Sequence, residues 1–155
     1  MQRLREQRLW DRMRKNVSQF GIHLERIENS AGTGMPDVLA ICNGIVTWIE
    51  LKAVEEFPAR ETTPLLGKSK GLNQAQKNWH KNWDRCGGNS LIVIGVGSLK
   101  FFAINGSCCD SINEMTSEEF LCCTHAIGYG SWKALAEYLG ANIEDRLINR
   151  IKDEL

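Results

Sequence analysis

The chain has 155 residues, 43% hydrophobic and 25% charged, with a formal net charge of zero. That is an ordinary globular composition for one domain around one core. No apolar run approaches the ~20 residues of a membrane span. The opening Met1-Gln2-Arg3-Leu4-Arg5-Glu6 lacks a signal peptide's apolar stretch. A cytoplasmic protein without a membrane partner is expected. The closing Lys152-Asp153-Glu154-Leu155 matches an endoplasmic-reticulum retention signal, but nothing delivers the chain to that compartment. It reads as coincidental, the end of a charged helix.

Charge is unevenly spread. Residues 1–99 carry 14 Lys/Arg against 10 Asp/Glu, and residues 100–155 carry 5 against 9. The stretches Arg3 to Lys15 and Arg60 to Arg85 are basic. They suit an acidic polymer, or are simply solvated helix faces. Six cysteines lie at 42, 86, 108, 109, 122 and 123. Without a secretory signal they predict no disulfide framework. With His125 they hint at zinc, but adjacent cysteines chelate one ion poorly. They read as small buried hydrophobes.

In chain order, Trp10, Met13, Val17 and Phe20 recur at helical spacing and predict a helix over 3–20, ended by Gly21. A strand is expected over 22–28, then a turn-rich loop from Asn29 to Gly34. Strands over 37–42 and 45–52 are joined by Asn43-Gly44, the strongest short hairpin signal. Residues 54–71 have no period and contain Pro58 and Pro64. They read as a mobile loop, ordered on substrate. Asn73 caps a helix to about Arg85, ended by Cys86-Gly87-Gly88. Leu91 to Val96 reads as a buried strand and Lys100 to Ile104 as another, turned by Asn105-Gly106. Thr116-x-x-Glu119 resembles a capping box. Ser131 caps a helix to Gly140, and 142–154 form a last one. The order is α-β-β-β-α-β with a mixed tail.

The hairpin sets a register. A two-residue turn pairs Cys42 with Ile45, hence Leu39 with Trp48 and Asp37 with Glu50, and Lys52 shares that face. Opposed carboxylates repel unless a hard cation lies between them. Mg²⁺ takes one or two carboxylates plus phosphate oxygens, and a neighbouring lysine steadies an attacking water or developing charge. The set suits metal-assisted phosphodiester hydrolysis; the plainer reading is two surface acids with a salt-bridged lysine. Glu6 falls on the apolar stripe 6, 10, 13, 17, 20, whereas Asp11 points away from it. Gln76 falls on the stripe Leu72, Gln76, Trp79, Trp83.

Gly34-Met35-Pro36-Asp37 followed by Ile49-Glu50-Leu51-Lys52 resembles the PD-(D/E)xK nuclease signature. Leu72-Asn73-Gln74-Ala75-Gln76 is similar to the L-S-x-x-Q element of the VRR-nuc branch, with Asn73 in place of serine. Glu6-Gln7-Arg8-Leu9-Trp10 resembles the first-helix glutamate of small phage-encoded members, of Holliday junction resolvase type. The match covers about residues 4–96, and about 97–155 would be an extension of the same single domain. The resemblance implies an α/β fold, a restriction-endonuclease-like αβββαβ core whose mixed sheet is flanked by helices. Asp37, Glu50 and the Leu51 carbonyl would bind Mg²⁺, with Mn²⁺ substituting. Lys52 would orient the water, and Glu6 would complete the metal shell directly or through water. Gln76 would brace the site or touch the scissile strand. Gly32 and Gly34 would let backbone approach DNA, and His80 would contact phosphate, though for His80 the plainer reading is a surface residue. Apart from the resemblance, if DNA crosses the basic stretch, Lys68, Lys70, Lys77, Lys81 and Arg85 touch phosphates; the plainer reading is a linker whose lysines only aid solubility.

The function implied is a metal-dependent DNA endonuclease selective for branched DNA. Such resolvases act as homodimers, for which the tail helices and Trp132 would supply an interface. The alternatives are a DNA end-processing or nicking enzyme without junction preference, a DNA-binding module with a decayed site, and a zinc-binding interaction module.

Overall fold

A computed structural model describes residues 1–28, 33–122, 130–143 and 152. Gly32, Cys123, His125 and nearly all of the expected last helix lie outside them. The opening helix α1 (Gln2–Val17) buries Leu9, Trp10, Met13 and Val17, the face its periodicity predicts. A short 3-10 turn ends at Gly21, whose φ of 77° is the left-handed cap. Strand β1 (His23–Arg26) follows and is shorter than expected. Strands β2 (Val38–Cys42) and β3 (Ile45–Val54) form the hairpin. Asn43 and Gly44 both have positive φ, at 49° and 78°, the backbone of a type I′ turn. Cys42 pairs with Ile45, Ile41 with Val46 and Leu39 with Trp48, the register the turn predicts.

After β3 the chain passes through a one-turn helix α2 (Gly67–Lys70) and helix α3 (Gln74–Arg85) into β4 (Asn89–Val96). Strand β4 runs parallel to β3 along its length, so α3 is a crossover helix. Strand β5 (Lys100–Asn105) pairs antiparallel with β4. The sheet is thus mixed, in the order β1-β2-β3-β4-β5. Helices α4 (Ser117–Cys122) and α5 (Trp132–Tyr138) follow. The Thr116–Glu119 capping box forms in both directions, and the Ser131 hydroxyl accepts from the Ala134 N–H.

The continuous apolar run in β4 is explained by burial on both faces. Leu91 and Val93 join one core with α1 and α5 residues such as Leu9, Met13 and Leu135. Ile92 and Ile94 join a second with Leu65, Leu66, Leu72, Ile112 and Phe120. Helices on both faces of a mixed sheet make the α/β architecture expected from sequence.

One expectation is corrected here. Segment 54–71 is not a free loop. Leu65 and Leu66 are buried, and the Leu65 and Gly67 N–H groups donate to the Met115 and Asn113 carbonyls. Its missing period reflects anchoring by a distant segment, with only the single turn of α2 as a helix of its own. The Trp132 ring stacks on Phe101 with centroids 4.0 Å apart. The cysteines divide. Cys42 and Cys109 are buried, whereas Cys86 and Cys122 are exposed, so the reading as buried hydrophobes holds for only some.

Candidate active site

The site begins where β2 stops short of β3. Strand β2 starts at Val38, paired with Ile49, while β3 runs on to Val54. Continuing that register places Asp37 opposite Glu50 and Pro36 opposite Leu51. Proline has no N–H to give the Leu51 carbonyl, and the Leu51 N–H donates to Asp37 Oδ2 at 2.9 Å. The N–H and C=O of one strand residue point to the same edge, so the Leu51 carbonyl faces the gap that Asp37 lines. Asp37 is itself fixed by its backbone, its carbonyl accepting from the Ile27 N–H at 2.7 Å.

Glu50 stands on the sheet face under α3 and is 1% exposed. Its Oε1 accepts from Gln76 Nε2 at 2.6 Å and lies 3.3 Å from Lys52 Nζ. Its Oε2 is buried without a protein partner. Burial, and then the Asp37 carboxylate, push the Glu50 pKa up to about 8, against the opposing pull of Lys52. Oε1 already accepts two donors, which leaves Oε2 as the oxygen open to a proton or a cation. Lys52 follows Glu50 by two residues on the same face, with a side chain 12% exposed.

Gln76 is held by its own helix. Its N–H donates to Asn73 Oδ1 and its Oε1 accepts from the Asn73 N–H, a reciprocal capping box. With Oε1 committed to Asn73, the amide can turn only its NH₂ toward Glu50. The cap that starts α3 therefore also orients the side chain that braces the carboxylate. Such a cap is worth about 0.5–2 kcal/mol to the helix.

Glu6 approaches from α1. Its Oε1 accepts from Gln2 Nε2, which also reaches the Ala53 carbonyl. Burial raises the Glu6 pKa, the Gln2 hydrogen bond lowers it, and Lys52 and Asp37 act on it with opposite signs. Asp37 is raised chiefly by burial, countered by the Leu51 N–H, Lys52 and Arg26. Sequence reasoning missed Arg26 and Gln2. Arg26 ends β1 and donates to Gln7 Oε1 at 2.6 Å, and its charge is felt by both Asp37 and Glu6. Its only sequence signal is its place near the end of an expected strand; Gln2 has none.

The other expected residues divide. Gly34 has φ +83°, and a Cβ there would lie 2.3 Å from the Ala75 carbonyl oxygen. The close approach it permits is to the start of α3. His80 is corrected. It is fully buried, its Nδ1 2.9 Å from Ser90 Oγ, so it is neither a surface residue nor placed to touch phosphate. Leu72, Gln76, Trp79 and Trp83 mark one stripe, but the face one residue further round also packs, against Ser90 and the turn at Gly106. Lys68 and Lys70 are exposed on α2. Lys77 is half-buried, and Lys81 pairs with Asp110 at 2.6 Å.

A divalent cation fits this chemistry. The donors are hard oxygens, and one of them, Glu50 Oε2, is buried without a partner, a costly arrangement unless a cation or proton takes it. Among the described residues no three Asp, Glu, His or Cys side chains already converge as a metal set. The set on offer is therefore Asp37, Glu50 and the Leu51 carbonyl, completed by water or substrate oxygens as Mg²⁺ allows. Glu6 is held by Gln2.

No family model matches the sequence, and no curated protein is recognisably similar to it. Solved structures are. The Holliday junction resolvase Hjc of Archaeoglobus fulgidus superposes with a TM-score of 0.59 at 12% identity, covering 86% of this chain and 99% of that one. A VRR_NUC domain matches at a TM-score of 0.43 and 19% identity, over 61% of this chain and 85% of its own. The first likeness shows the fold: this chain has the mixed α/β, nuclease-like architecture of that resolvase.

Proposed function

We propose that this chain is a divalent-metal-dependent DNA endonuclease that acts on branched DNA. The observation that carries the reading is the buried Glu50 beside Asp37 and Lys52, at the point where β2 ends and Pro36 frees the Leu51 carbonyl. A fold like that of a Holliday junction resolvase supports DNA as the substrate and a branched structure as its form. A four-way junction needs two opposed cuts, so the reading includes a homodimer. Among the described residues, the exposed Ile41, Ile45 and Val46 at the hairpin tip offer apolar surface for it.

When bound, Mg²⁺ or Mn²⁺ would supply a Lewis acid for the scissile phosphate and a water of lowered pKa. Asp37, Glu50 and the Leu51 carbonyl would hold it, with Glu6 acting through water. Gln76 keeps Glu50 Oε1 occupied, so that Oε2 is the oxygen left to face the site. The Lys52 ammonium, anchored beside Glu50, orients the attacking water and offsets charge developing on the phosphate oxygens.

The test is a cleavage panel of four-way junctions, flaps, single strands and linear duplex, each with Mg²⁺, Mn²⁺ or EDTA. Junction cleavage that requires metal is expected. Equal cutting of linear duplex would replace junction selectivity with end-processing or nicking, and no cleavage of any substrate would overturn the nuclease reading.

A further inference from the structure

The segment after β5 carries no family motif, yet it reaches the residues that lead into α3. Asn113 is 5% exposed. Its Oδ1 accepts from the Leu72 N–H at 2.8 Å and its Nδ2 donates to the Leu72 carbonyl at 2.8 Å. One amide thus satisfies both backbone groups of a single buried residue. Its own carbonyl accepts from the Gly67 N–H at 3.1 Å, so the same residue grips the chain at two points before α3. Gly71 leaves room for this clamp, since a Cβ there would lie 1.9 Å from Asn113 Oδ1.

Leu72 immediately precedes Asn73, the cap of α3. Asn73 exchanges hydrogen bonds with Gln76, and Gln76 donates to Glu50. The contacts form one connected series: Asn113 to Leu72, along the backbone to Asn73, to Gln76, to Glu50. No other residue type supplies that donor and acceptor at that reach without change. Aspartate loses the donor and sets a carboxylate against the Leu72 carbonyl. Serine is too short to span both groups.

We propose that Asn113 is a positioning residue for the active site, holding the capped start of α3 so that the Gln76 amide stays on Glu50. The clamp places the C-terminal segment within the catalytic apparatus rather than beside it. The proposal rests on the nuclease reading for its effect on cleavage, but the linkage itself does not.

The experiment combines Asn113→Asp and Asn113→Ser with Gln76→Ala, each alone and in pairs, after circular dichroism has verified folding. Amide hydrogen exchange is followed at Asn73 and Gln76 in metal-free protein, Mn²⁺ affinity by calorimetry, and single-turnover cleavage on the substrate that wild type cuts best. Either Asn113 variant should speed exchange at both amides about tenfold. It should weaken Mn²⁺ binding and cleavage by about 10–100-fold, the usual effect of losing a group that orients a metal ligand. In the Gln76→Ala background the same substitutions should cost no further affinity or rate. Equal losses in both backgrounds would reduce Asn113 to a stability residue and overturn the proposal. Unchanged exchange at Asn73 and Gln76 in a folded variant would overturn it as well. If wild type neither bound Mn²⁺ nor cut DNA, the nuclease reading would fail, and the exchange data would still decide whether Asn113 holds Gln76.

Discussion

Helix α3 presses two polar side chains onto the sheet one turn apart, and the two pairs differ in kind. Gln76 meets Glu50, and His80 meets Ser90. Each pair leaves one buried atom without a protein partner, Glu50 Oε2 and His80 Nε2. Burial disfavours the charged form of both, pushing Glu50 up to about 8 and His80 down to about 4, with the Lys52 charge a second cause for His80. What separates them is the surroundings. Glu50 lies where a strand ends, within the field of Asp37, Lys52 and Glu6. His80 is closed in by the Trp79 ring, with centroids 5.4 Å apart, and by Gly106, where a Cβ would lie 2.7 Å from Nδ1. A buried unpaired atom becomes a candidate ligand when other charges converge on it and backbone is left open beside it. Without those it belongs to the core.

The sharpest way to break that distinction is to remove the converging groups. Asp37→Asn, Glu50→Gln and Lys52→Ala should each lower cleavage on the order of a thousandfold or more while circular dichroism stays native. Full activity in any folded member would end the assignment. Gln76→Ala should cost less, about 10–100-fold, read mainly as weaker metal affinity in a Mn²⁺ titration of activity.

The same contrast predicts opposite pH limbs in the metal-free protein. Folded Glu50 keeps its proton to about pH 8, whereas the unfolded chain loses it near 4.5. Its contribution is complete below pH 4.5 and is lost as pH rises through 8. Folded His80 takes a proton only near pH 4, against 6.5 when unfolded. Its contribution is present above pH 6.5 and is lost as pH falls through 4. Between pH 4.5 and 6.5 the two slopes oppose each other, so melting temperatures in EDTA should stay nearly level from pH 5 to 6.5 and fall by pH 8. Glu50→Gln should remove the alkaline limb and melt above wild type at pH 8. Asp37→Asn should also raise the metal-free melting temperature, and added Mg²⁺ should stabilise it less than wild type. Equal metal responses in a calorimetric scan would contradict that.

Smaller effects are expected at the closed pair. Replacing both partners, His80→Leu with Ser90→Ala, leaves no orphaned polar group and should be close to neutral in stability. Cleavage should stay within about threefold by the same reasoning. A loss as large as that of Gln76→Ala would move His80 into the site. Smallest are the single phosphate contacts. If DNA crosses the exposed α2, Lys68→Ala/Lys70→Ala should flatten the slope of log K against log[salt] by about 0.9 per lost contact, measured in Ca²⁺. An unchanged slope would point to α1, where Arg5, Arg8 and Arg12 line a cavity of about 480 Å³ at the ends of β3 and β4.

Much of this was legible in the sequence because it is local. Asn43-Gly44 admits one hairpin geometry, and that geometry alone puts Asp37 and Glu50 on one face. Asn73 announces its helix, and Gln76 stands out on an apolar stripe. What could not be read depends on contacts between distant segments. Leu65 and Gly67 look like loop residues until the Met115 and Asn113 carbonyls accept their N–H groups. His80 looks solvated because the turn that covers it lies far along the chain. Gly34 suggests freedom beside a ligand, when its missing Cβ is filled by the backbone of α3. Asn113 itself has no pattern to find, since its partners are two backbone groups of one residue.

The account turns on whether Asp37 and Glu50 hold a cation together, which a Mn²⁺ titration at pH 7 by calorimetry tests directly. Run in two buffers of different ionisation enthalpy, wild type should bind Mn²⁺ and release close to one proton, the one carried on Glu50. Asp37→Asn should bind far more weakly, and Glu50→Gln should bind weakly without the proton release. Wild-type affinity in both folded variants would contradict the account.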